Sequence, residues 1–549
     1  MRPDPLFDFV APPFPAALHA AALLAAALLA AVLLAAPPAA GAPAPDAPYP
    51  NVQVNSRPNN PEETAIAINP RNPDNVVGVA QVPCHWYASF DGGAGWTEGD
   101  LPDLVDLGDP SIVFDADGYA YYAFIGLFDH SGIFVNRSTD GGLTWMPNAT
   151  PVVEHQGGEP FEDKSWPVAD WTNSPTRNNL YVSWTRFTRY GSADPADSST
   201  ILFSRSTDRG QSFSAPIRIG DEAGDAIDSD GTVEGAVPAV GPQGEVYVAW
   251  AGPRGIEFDR SLDAGRTFGR DRVIADQPGG WDFDVPGIYR ANGLPVTRVD
   301  LSGGPFRGRI YVNWSDQRNG DTDVFLIHSD DRGGSWSAPR RVHGDPIGNG
   351  RDQFFTWFDV DPVTGAVRVV FYDRRQHPDN LTTDVFLATS FDGGETFLEE
   401  KISASSFIPD PTVFFGDYIG ISSFADRVRP LWVRMDGRTL SIWTALIDPP
   451  SAGVCDPAGC SPPHLSILPN PMRAEATILC CDGLTEPVVL TVHDVSGRRV
   501  RELRAGGRTA GGAQAVVWDG RGENGDRVPP GIYWISGRAI PASRIVVVH

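Results

Sequence analysis

The segment Ser138-Thr-Asp-Gly-Gly-Leu-Thr-Trp145 decides the fold, because its pattern occurs six times along the chain. Each copy has a Ser, an Asp two residues later, a Gly two residues after that and a closing Trp or Phe. A repeat this regular indicates an array of one supersecondary unit. The other copies are Ser89-Phe-Asp-Gly-Gly-Ala-Gly-Trp96, Ser206-Thr-Asp-Arg-Gly-Gln-Ser-Phe213, Ser261-Leu-Asp-Ala-Gly-Arg-Thr-Phe268, Ser329-Asp-Asp-Arg-Gly-Gly-Ser-Trp336 and Ser390-Phe-Asp-Gly-Gly-Glu-Thr-Phe397.

The residue types of the repeat are those of a tight β-hairpin tip. The Asp can accept N–H bonds across the turn, the second Gly permits a positive φ, and the aromatic ring can pack under the loop. Strand-like runs precede each copy, as in Ser111–Phe114, Tyr119–Phe124 and Ile133–Val135, and another strand follows it. Four short antiparallel strands in a repeat of about 50 to 70 residues are typical of a β-propeller blade.

On these repeats the chain resembles the Asp-box, or bacterial-neuraminidase-repeat, propellers, of which the sialidases are the best known. The resemblance covers residues 51–447 and implies a fold rather than an activity, since similar boxes occur in sialidases, other glycoside hydrolases and non-enzymatic propellers. A further strand set without a box follows the sixth copy, and Val52-Gln-Val54 can supply its fourth strand. We therefore expect an all-β propeller of six or seven blades, with seven favoured, that leaves no open sheet edge.

The C-terminal region predicts a second, smaller domain. Its motifs resemble the immunoglobulin-like domain of the flagellar hook-capping family and the related sorting domains of type IX secretion, although the chain ends without the basic tail of the latter. Strand-like runs separated by turns predict a small immunoglobulin-like β-sandwich. The motifs are Pro469-Asn-Pro471, Val495-Ser-Gly-Arg498, Trp518-Asp-Gly520 and Pro530-Gly-Ile-Tyr533. The predicted organisation is a signal peptide (1–42), a linker (43–50), the propeller (51–447), a Pro/Gly/Cys linker (448–463) and the C-terminal domain (464–549).

The N-terminus and the net charge limit the possible partners. An apolar run from Ala16 to Ala36, followed by Ala40-Gly41-Ala42, predicts a cleaved secretory signal, with an uncleaved membrane anchor as the alternative. We therefore expect a secreted or cell-surface protein. The formal charge of -26 disfavours nucleic acid and anionic membranes as partners. The five cysteines lack the spacing of a zinc site, and we expect neither a metal nor an organic cofactor.

Charged side chains are predicted to gather at one mouth of the propeller. The starts of first strands and the ends of second strands open on one face, whereas the Asp boxes lie on the opposite rim. Charges focused on a funnel shift pKa values and mark candidate sites. The alternative is that these groups cap strand ends and pair locally, as Asp316 with Arg318 or Asp373 with Arg375. Charged starts of first strands include Glu62, Glu63, Asp109, Asp163, Lys164, Glu234, Arg351, Asp352 and Asp417. Charged ends of second strands include Arg186, Arg318 and Arg375.

The resemblance to sialidases assigns roles to this mouth. A sialidase binds the carboxylate of its sugar with an arginine cluster, and a Tyr activated by a Glu attacks while an Asp serves as acid and base. By position, the clamp is Arg318, Arg351 and Arg375, with Asp352 and Trp314 as further substrate contacts. The catalytic candidates are Tyr418 as nucleophile, Glu234 as its base, and Asp109 or Asp163 as the acid. The family's Phe-Arg-Ile-Pro motif is absent.

Two functions fit the sequence. The first is an exo-α-sialidase-type glycoside hydrolase acting on extracellular glycans or glycoproteins. The second is a non-catalytic propeller that binds glycan or protein at the cell surface, with the C-terminal domain contacting the surface or the secretion machinery. The predicted fold supports both functions. Aromatic residues near the mouth, such as Trp314, either stack on sugar rings or pack between blades.

Overall fold

The computed structural model describes the main part of the chain and several segments near its C-terminus. The predicted signal peptide and residues 449–463 of the predicted linker lie outside the described residues. Throughout the described part the structure is all-β, without helices, and so it holds no helix of the length and apolarity that a membrane span requires. The described residues are 48–81, 85–102, 107–127, 131–448, 464–468, 472, 474–481, 488–494, 498–504, 507–508, 514–537 and 540–548.

The first four repeats each form a four-stranded antiparallel sheet whose strands follow one another in chain order. Sheet 1 is β2 (Glu62–Ile68), β3 (Val76–Gln81), β4 (His85–Ser89) and β5 (Thr97–Asp100). Sheet 2 is β6 (Leu107–Phe114), β7 (Ala120–Gly126), β8 (Gly132–Ser138) and β9 (Thr150–Glu154). Sheet 3 is β10 (Phe161–Ala169), β11 (Leu180–Phe187), β12 (Ser199–Ser206) and β13 (Ile217–Arg218). Sheet 4 is β14 (Glu234–Val240), β15 (Val246–Gly252), β16 (Gly255–Ser261) and β17 (Arg272–Ala275).

Three more four-stranded sheets follow, after a two-stranded hairpin. The hairpin is β18 (Asp282–Phe283) and β19 (Ala291–Asn292). Sheet 5 is β20 (Val296–Val299), β21 (Ile310–Asp316), β22 (Asp323–Ser329) and β23 (Arg340–Arg341). Sheet 6 is β24 (Gln353–Val360), β25 (Val367–Asp373), β26 (Asp384–Ser390) and β27 (Leu398–Lys401). Sheet 7 is β28 (Gly420–Phe424), β29 (Arg427–Asp436), β30 (Thr439–Ala445) and the N-terminal β1 (Asn51–Gln53).

The N-terminal strand completes sheet 7, as the Val52 segment predicts. Strand β1 pairs antiparallel with β30, so that Asn51 lies opposite Ala445 and Gln53 opposite Trp443. The first strand of each sheet contacts the first strand of the next, and β2 contacts both β6 and β28. Because each sheet packs between two neighbours, second strands such as β7 and β15 are buried along their whole length. This arrangement is consistent with a β-propeller.

The box turns have the predicted hairpin-tip chemistry. In the second copy, Asp140 accepts bonds from the backbone N–H of Thr144 at 2.9 Å and from the hydroxyl of Ser138 at 2.8 Å. Gly142 has a φ of 90°. The side chain of Asn75, in the turn between β2 and β3, donates to the carbonyl of Gly141 at 2.9 Å. Because that turn follows the first strand, the boxes lie at the opposite end of the sheets from the starts of the first strands.

The C-terminal region is a separate two-sheet sandwich, as predicted. One sheet has the order β31 (His464–Leu468), β32 (Ala476–Cys481), β36 (Gln514–Trp518), β35 (Gly507–Arg508), and the other β34 (Arg499–Arg504), β33 (Val489–Asp494), β37 (Gly531–Gly537), β38 (Ile540–Val547). Its apolar core surrounds the buried indole of Trp518 and contains described residues from Leu465 to Val547 alone.

Candidate functional site

Five first strands carry a bulge near the mouth. The pairing of first and second strands shifts register at this point in sheets 1, 2, 3, 4 and 6. In four of these sheets a non-glycine residue of the bulge has a positive φ, a conformation that re-aims its side chain. These residues are Glu63 (50°), Asp109 (47°), Lys164 (49°) and Phe355 (48°).

Lys164 is the centre of a buried charge cluster. Its Nζ lies 3.1 Å from Asp417 Oδ1, 3.7 Å from Asp109 Oδ2 and 3.9 Å from Glu63 Oε1. Its backbone N–H donates to Asp109 and to Asp163, at 3.1 and 2.9 Å. Thus side chains from sheets 1, 2 and 3 meet a carboxylate from the segment before sheet 7.

Arg290 supplies a second cation to the same carboxylate. Its guanidinium donates to Asp417 Oδ2, and the side chain of Asn292 donates to the backbone carbonyl of Asp417 at 3.1 Å. The other end of the guanidinium lies 3.6 Å from Asp228. Both Arg290 and Asp228 are partly exposed. The charged cluster therefore extends from the buried centre to the solvent-facing mouth.

We define the mouth cluster as Glu62, Glu63, Asp109, Asp163, Lys164, Glu234, Arg290 and Asp417. Its carboxyl groups fall into two classes. Burial and the neighbouring charge of Asp417 raise the pKa of Glu62 to about 8, although Glu62 is partly exposed. Burial is also the largest cause that raises the pKa values of Glu63, Asp163 and Glu234 well above the ordinary range. By contrast, Lys164 and Arg290 lower the pKa of Asp417 to about 2 against its burial. Neutral carboxylic acids and an ionised carboxylate thus lie side by side.

Aromatic rings fill the space below the cluster. The centroids of Trp166 and Trp357 are 4.5 Å apart, and Tyr418 lies 5.1 Å from Trp166. A cavity of about 20 Å³ remains among these rings, Lys164 and Asp417. That volume holds one water molecule and excludes a sugar ring, so a ligand reaches the cluster from the mouth.

The structure brings together four of the predicted catalytic residues. Asp109, Asp163 and Glu234 belong to the mouth cluster, and the ring of Tyr418 lies 5.5 Å from Lys164 Nζ. The Tyr418 hydroxyl donates to the carbonyl of Pro110 at 3.2 Å. Burial raises its pKa well above the ordinary value for tyrosine. No hydrogen bond between described residues joins this hydroxyl to Glu234.

Each arginine of the predicted clamp has a partner close to it in the chain. Arg318 Nε donates to Asp316 at 2.9 Å and Arg375 Nε donates to Asp373 at 2.7 Å, and both carboxylates are buried. These are the local pairs that the alternative interpretation predicts. Arg351 bonds through Nη1 to the carbonyl of Gly350 at 3.1 Å.

Asp352 and Trp314 have structural contacts instead of the expected substrate contacts. Asp352 accepts the backbone N–H of Thr322 at 2.9 Å and the side-chain amide of Asn380 at 2.6 Å. Trp314 is fully buried and its indole donates to Asp316 at 2.8 Å. Its ring is therefore not available to a sugar, because it packs inside the sheets.

Arg290 and Asp228 are the residues of the site that sequence reasoning missed. Both lie outside the first and second strands of any repeat, so a search of strand ends does not reach them. The spacing of the boxes does not reveal them, since the fourth and fifth copies, at Ser261 and Ser329, are as far apart as the second and third, at Ser138 and Ser206, which enclose no such hairpin. Arg290 lies in the β18–β19 hairpin, which brings it to the mouth.

One comparison with known families supports the C-terminal part of this architecture. A family model described as the FlgD Ig-like domain matches residues 482–539. No curated protein matches the chain. Similar solved structures include a protein of unknown function from Dyadobacter fermentans, at 12% identity and a TM-score of 0.42, covering 73% of this chain and 98% of that one.

Two glycan-acting proteins are also similar in structure. The Hadza microbial sialidase Hz136 has 14% identity and a TM-score of 0.40, with 68% of this chain and 73% of that chain covered. A polysaccharide lyase of family PL25, an ulvan lyase, has 12% identity and a TM-score of 0.43, with 71% and 94% covered. Likenesses at this level transfer neither an active site nor a substrate.

Proposed function

We propose that this chain is an exported glycan-acting enzyme, a glycoside hydrolase, with the mouth cluster as its reaction centre. The observation that carries the proposal is the pairing of two carboxyl groups with opposite pKa shifts. Glu62 holds its proton at neutral pH and is partly exposed, whereas Asp417 is ionised beside it. Environments that push two carboxyl pKa values apart assign an acid and a base.

In this proposal Glu62 protonates the leaving oxygen of the glycosidic bond as that bond breaks. Water then adds to the anomeric carbon, and its proton returns to the Glu62 carboxylate, which is restored to the acid form. Asp417, held ionised by Lys164 and Arg290, stabilises the positive charge that develops on the sugar ring in the transition state. Asp163 and Glu234, whose pKa values are also raised, keep further protons in the site. Asp109 binds the backbone of Lys164 and fixes the position of that cation.

The exo-α-sialidase form of this proposal makes a further demand. It requires Tyr418 as nucleophile with Glu234 as its base, and a clamp of arginines around the sugar carboxylate. What supports it is the location of Tyr418 and Glu234 at the same mouth. What opposes it is the bond from the Tyr418 hydroxyl to Pro110 and the pairing of Arg318 and Arg375 within their own sheets.

We also propose that the seven sheets are the blades of a closed Asp-box propeller. The pairing of β1 with β30 and the contacts between sheets 1 and 7 support seven blades. The predicted signal peptide would export the chain, and the C-terminal domain would attach it to the cell surface or to the secretion machinery. The match of residues 482–539 to an immunoglobulin-like family supports a domain of that kind.

The proposal is tested with a panel of fluorogenic glycosides that includes neutral sugars, amino sugars and a sialoside. We expect the parent to hydrolyse at least one of them and Glu62→Gln to lower kcat by about 100-fold or more, the usual contribution of a general acid. Glu395→Gln is the matched control, because Glu395 lies in the sixth box, at the opposite end of the sheets. Loss of kcat in neither variant, or in both, would reject the assignment.

One observation favours the second candidate, a non-catalytic propeller that binds glycan or protein. The aromatic rings leave only about 20 Å³ beneath the charges, too little to enclose a sugar ring there. A glycan array with the parent protein distinguishes the two candidates. Binding of a glycan whose fluorogenic glycoside is not hydrolysed would support the non-catalytic function.

A further inference from the structure

A second cavity lies at the opposite end of the sheets from the mouth cluster. The first strands of all seven sheets contribute to its wall, and its lining includes the last residues of several of them, Phe114, Ala169, Val299 and Val360. The mouth cluster lies at the starts of these strands, whereas the boxes lie toward their ends. We therefore call this space the box-side cavity.

Strand β10 shows how the two sites are separated. From its start to its end, the strand places Lys164 in the mouth cluster, Trp166 among the aromatic rings and Val168 in the wall of the box-side cavity. The aromatic rings therefore lie between the two sites. A ligand of the box-side cavity enters from the box end.

The box-side cavity is large enough for a small organic molecule. Its volume is about 140 Å³, compared with about 20 Å³ for the space among the aromatic rings, and it is partly open to solvent. Its wall is mostly apolar, and lining residues such as Val113, Val168 and Leu301 remain partly exposed. An apolar cavity of about 150 Å³ binds a molecule of the size of benzene.

One ion pair interrupts the apolar wall. Among the described lining residues the charged ones are Arg298 and Asp359, with Arg298 Nε 3.5 Å from Asp359 Oδ1. The Asp359 carboxylate accepts the backbone N–H of Val360 at 3.0 Å and that of Ser423 at 2.8 Å. Arg298 Nη1 donates to the carbonyl of Thr297 at 2.9 Å, and no hydrogen bond among the described residues involves Nη2. The guanidinium therefore still offers N–H donors.

The charges of this pair compensate each other. Burial lowers the pKa of Arg298 and raises that of Asp359 to about 6, as expected for charges in apolar surroundings. Asp359 is thus ionised at neutral pH, and the pair carries no net charge. A charged ligand would lose its hydration here without gaining a counter-charge, whereas a neutral ligand pays no such cost.

We propose that the box-side cavity binds a small neutral molecule that consists of an apolar ring with one carbonyl oxygen. The wall buries the ring, and the carbonyl oxygen accepts an N–H from Arg298, which fixes the orientation of the molecule. This site is separate from the mouth cluster and does not depend on the proposed hydrolase function.

Calorimetry with the full chain tests the ligand class. The probes are acetophenone, which is neutral and has a carbonyl, ethylbenzene, which lacks the oxygen, and the charged analogues benzoate and benzylammonium. We expect saturable binding of one acetophenone per chain, at least 10-fold tighter than binding of either charged analogue.

Variants locate the binding. Val168→Phe fills the cavity and should weaken acetophenone binding at least 10-fold. Val273→Phe is the matched control, because Val273 is exposed on the outer strand β17, and it should bind like the parent. Val113→Phe fills the cavity from a different strand and repeats the test if Val168→Phe does not fold, which melting curves determine.

Arg298→Met tests the hydrogen bond to the carbonyl. The ratio of acetophenone affinity to ethylbenzene affinity should fall at least 10-fold in this variant, because the donor is lost while the apolar wall is kept. Comparing the two ligands in one variant removes any general effect of the substitution on the cavity.

Four results would overturn the inference. They are the absence of saturable acetophenone binding, tightest binding of benzoate or benzylammonium, unchanged acetophenone affinity in the cavity-filling variants, and an unchanged affinity ratio in Arg298→Met. Hydrolysis of a glycoside, or its absence, bears on none of them.

Discussion

Lys164 and Asp417, separated by 253 positions in the chain, form a buried salt bridge in which Nζ lies 3.1 Å from Oδ1 and 3.2 Å from Oδ2. The two side chains are 6% and 2% exposed. Burying two charges is favourable only when each compensates the other. This pair therefore joins the first strand of sheet 3 to the segment before sheet 7, and each residue depends on its partner.

Lys164→Met should destabilise the protein by about 3–5 kcal/mol, because it leaves Asp417 and its neighbours buried with one cation fewer. Denaturant unfolding measures the change. Arg438→Met is the control, since Arg438 is exposed and its ion pair with Asp410 should contribute at most about 1 kcal/mol. A loss of similar size in both variants would show that the mouth pair has no special role.

Glu62→Gln should change how stability depends on pH. In the unfolded chain Glu62 loses its proton near pH 4.5, whereas in the folded chain it keeps the proton up to about pH 8. Between these values the unfolded state binds fewer protons, so this group lowers stability as pH rises, by up to about 1.4 kcal/mol per pH unit. Gln does not titrate. The variant should therefore gain stability relative to the parent from pH 5 to pH 7.5 in denaturant titrations, and a constant difference would contradict the raised pKa.

Asp417 contributes to acid stability in the opposite sense. Its pKa in the folded protein is about 2, below the ordinary value of 3.8. The stabilisation is therefore complete above the ordinary value of 3.8 and is lost as pH falls toward 2. This contribution does not overlap with the pH range in which Glu62 acts. Above pH 5 the difference between the parent and Glu62→Gln therefore contains no contribution from the protonation of Asp417.

The repeats made most of the fold predictable from the sequence. The boxes specify hairpin tips locally, through Asp140, Gly142 and their equivalents, and four strands per repeat follow from the apolar runs between them. The pairing of Val52 with the last sheet was predictable because sheet 7 lacked a fourth strand. These features depend on short-range chemistry and on the need to cover sheet edges.

The site was predictable only in part. Starts of first strands suggested Asp109, Asp163 and Glu234, and these residues lie in the mouth cluster because each first strand begins at that end of its sheet. The ion pairs within the mouth cluster were not predictable. They depend on bulges that turn side chains such as Lys164 and on a hairpin insertion that brings Arg290 to the cluster. The family resemblance suggested free arginines, whereas the spacing of Asp316 with Arg318 and of Asp373 with Arg375 suggested local pairs, and the sequence alone could not decide between the two.

Asp140→Ala should destabilise the protein by about 1–3 kcal/mol, because the N–H of Thr144 and two hydroxyls lose their acceptor. Binding of any glycan at the mouth should be unchanged, since the box lies at the other end of sheet 2. Thermal melting and calorimetry with one ligand measure the two quantities together. Weakened binding without a change in melting would place the ligand on the box face.

Deleting residues 464–549 should leave the melting of the propeller nearly unchanged. The apolar clusters of the described residues up to Ile447 include none from the sandwich, whose core surrounds Trp518. Domains with separate cores unfold independently unless a large interface joins them. Calorimetric scans of the full chain and the truncated chain test this, and a single shared transition that shifts on truncation would refute it.

Arg318→Ala and Arg375→Ala distinguish a sialidase clamp from structural ion pairs. If the arginines recognised the carboxylate of a sialoside, each variant would weaken sialoside binding by about 2–4 kcal/mol, the scale for removing one partner of a desolvated pair. Their guanidinium groups instead bind Asp316 and Asp373, whose carboxylates are buried. We therefore expect a loss of about 2–4 kcal/mol in the free energy of unfolding, with glycan affinity unchanged at temperatures where the variants remain folded.

Paired variants separate the two effects of removing these arginines. Arg375→Ala combined with Asp373→Asn should recover part of the stability lost in Arg375→Ala, because the double variant no longer buries an uncompensated carboxylate at Asp373. No such recovery is expected if Arg375 binds a ligand instead. Unfolding in denaturant gives the stability of each variant, and calorimetry with sialyllactose gives the affinity. Sialoside affinity that falls in both arginine variants while their stability stays at the parental value would restore the clamp and, with it, the exo-α-sialidase assignment.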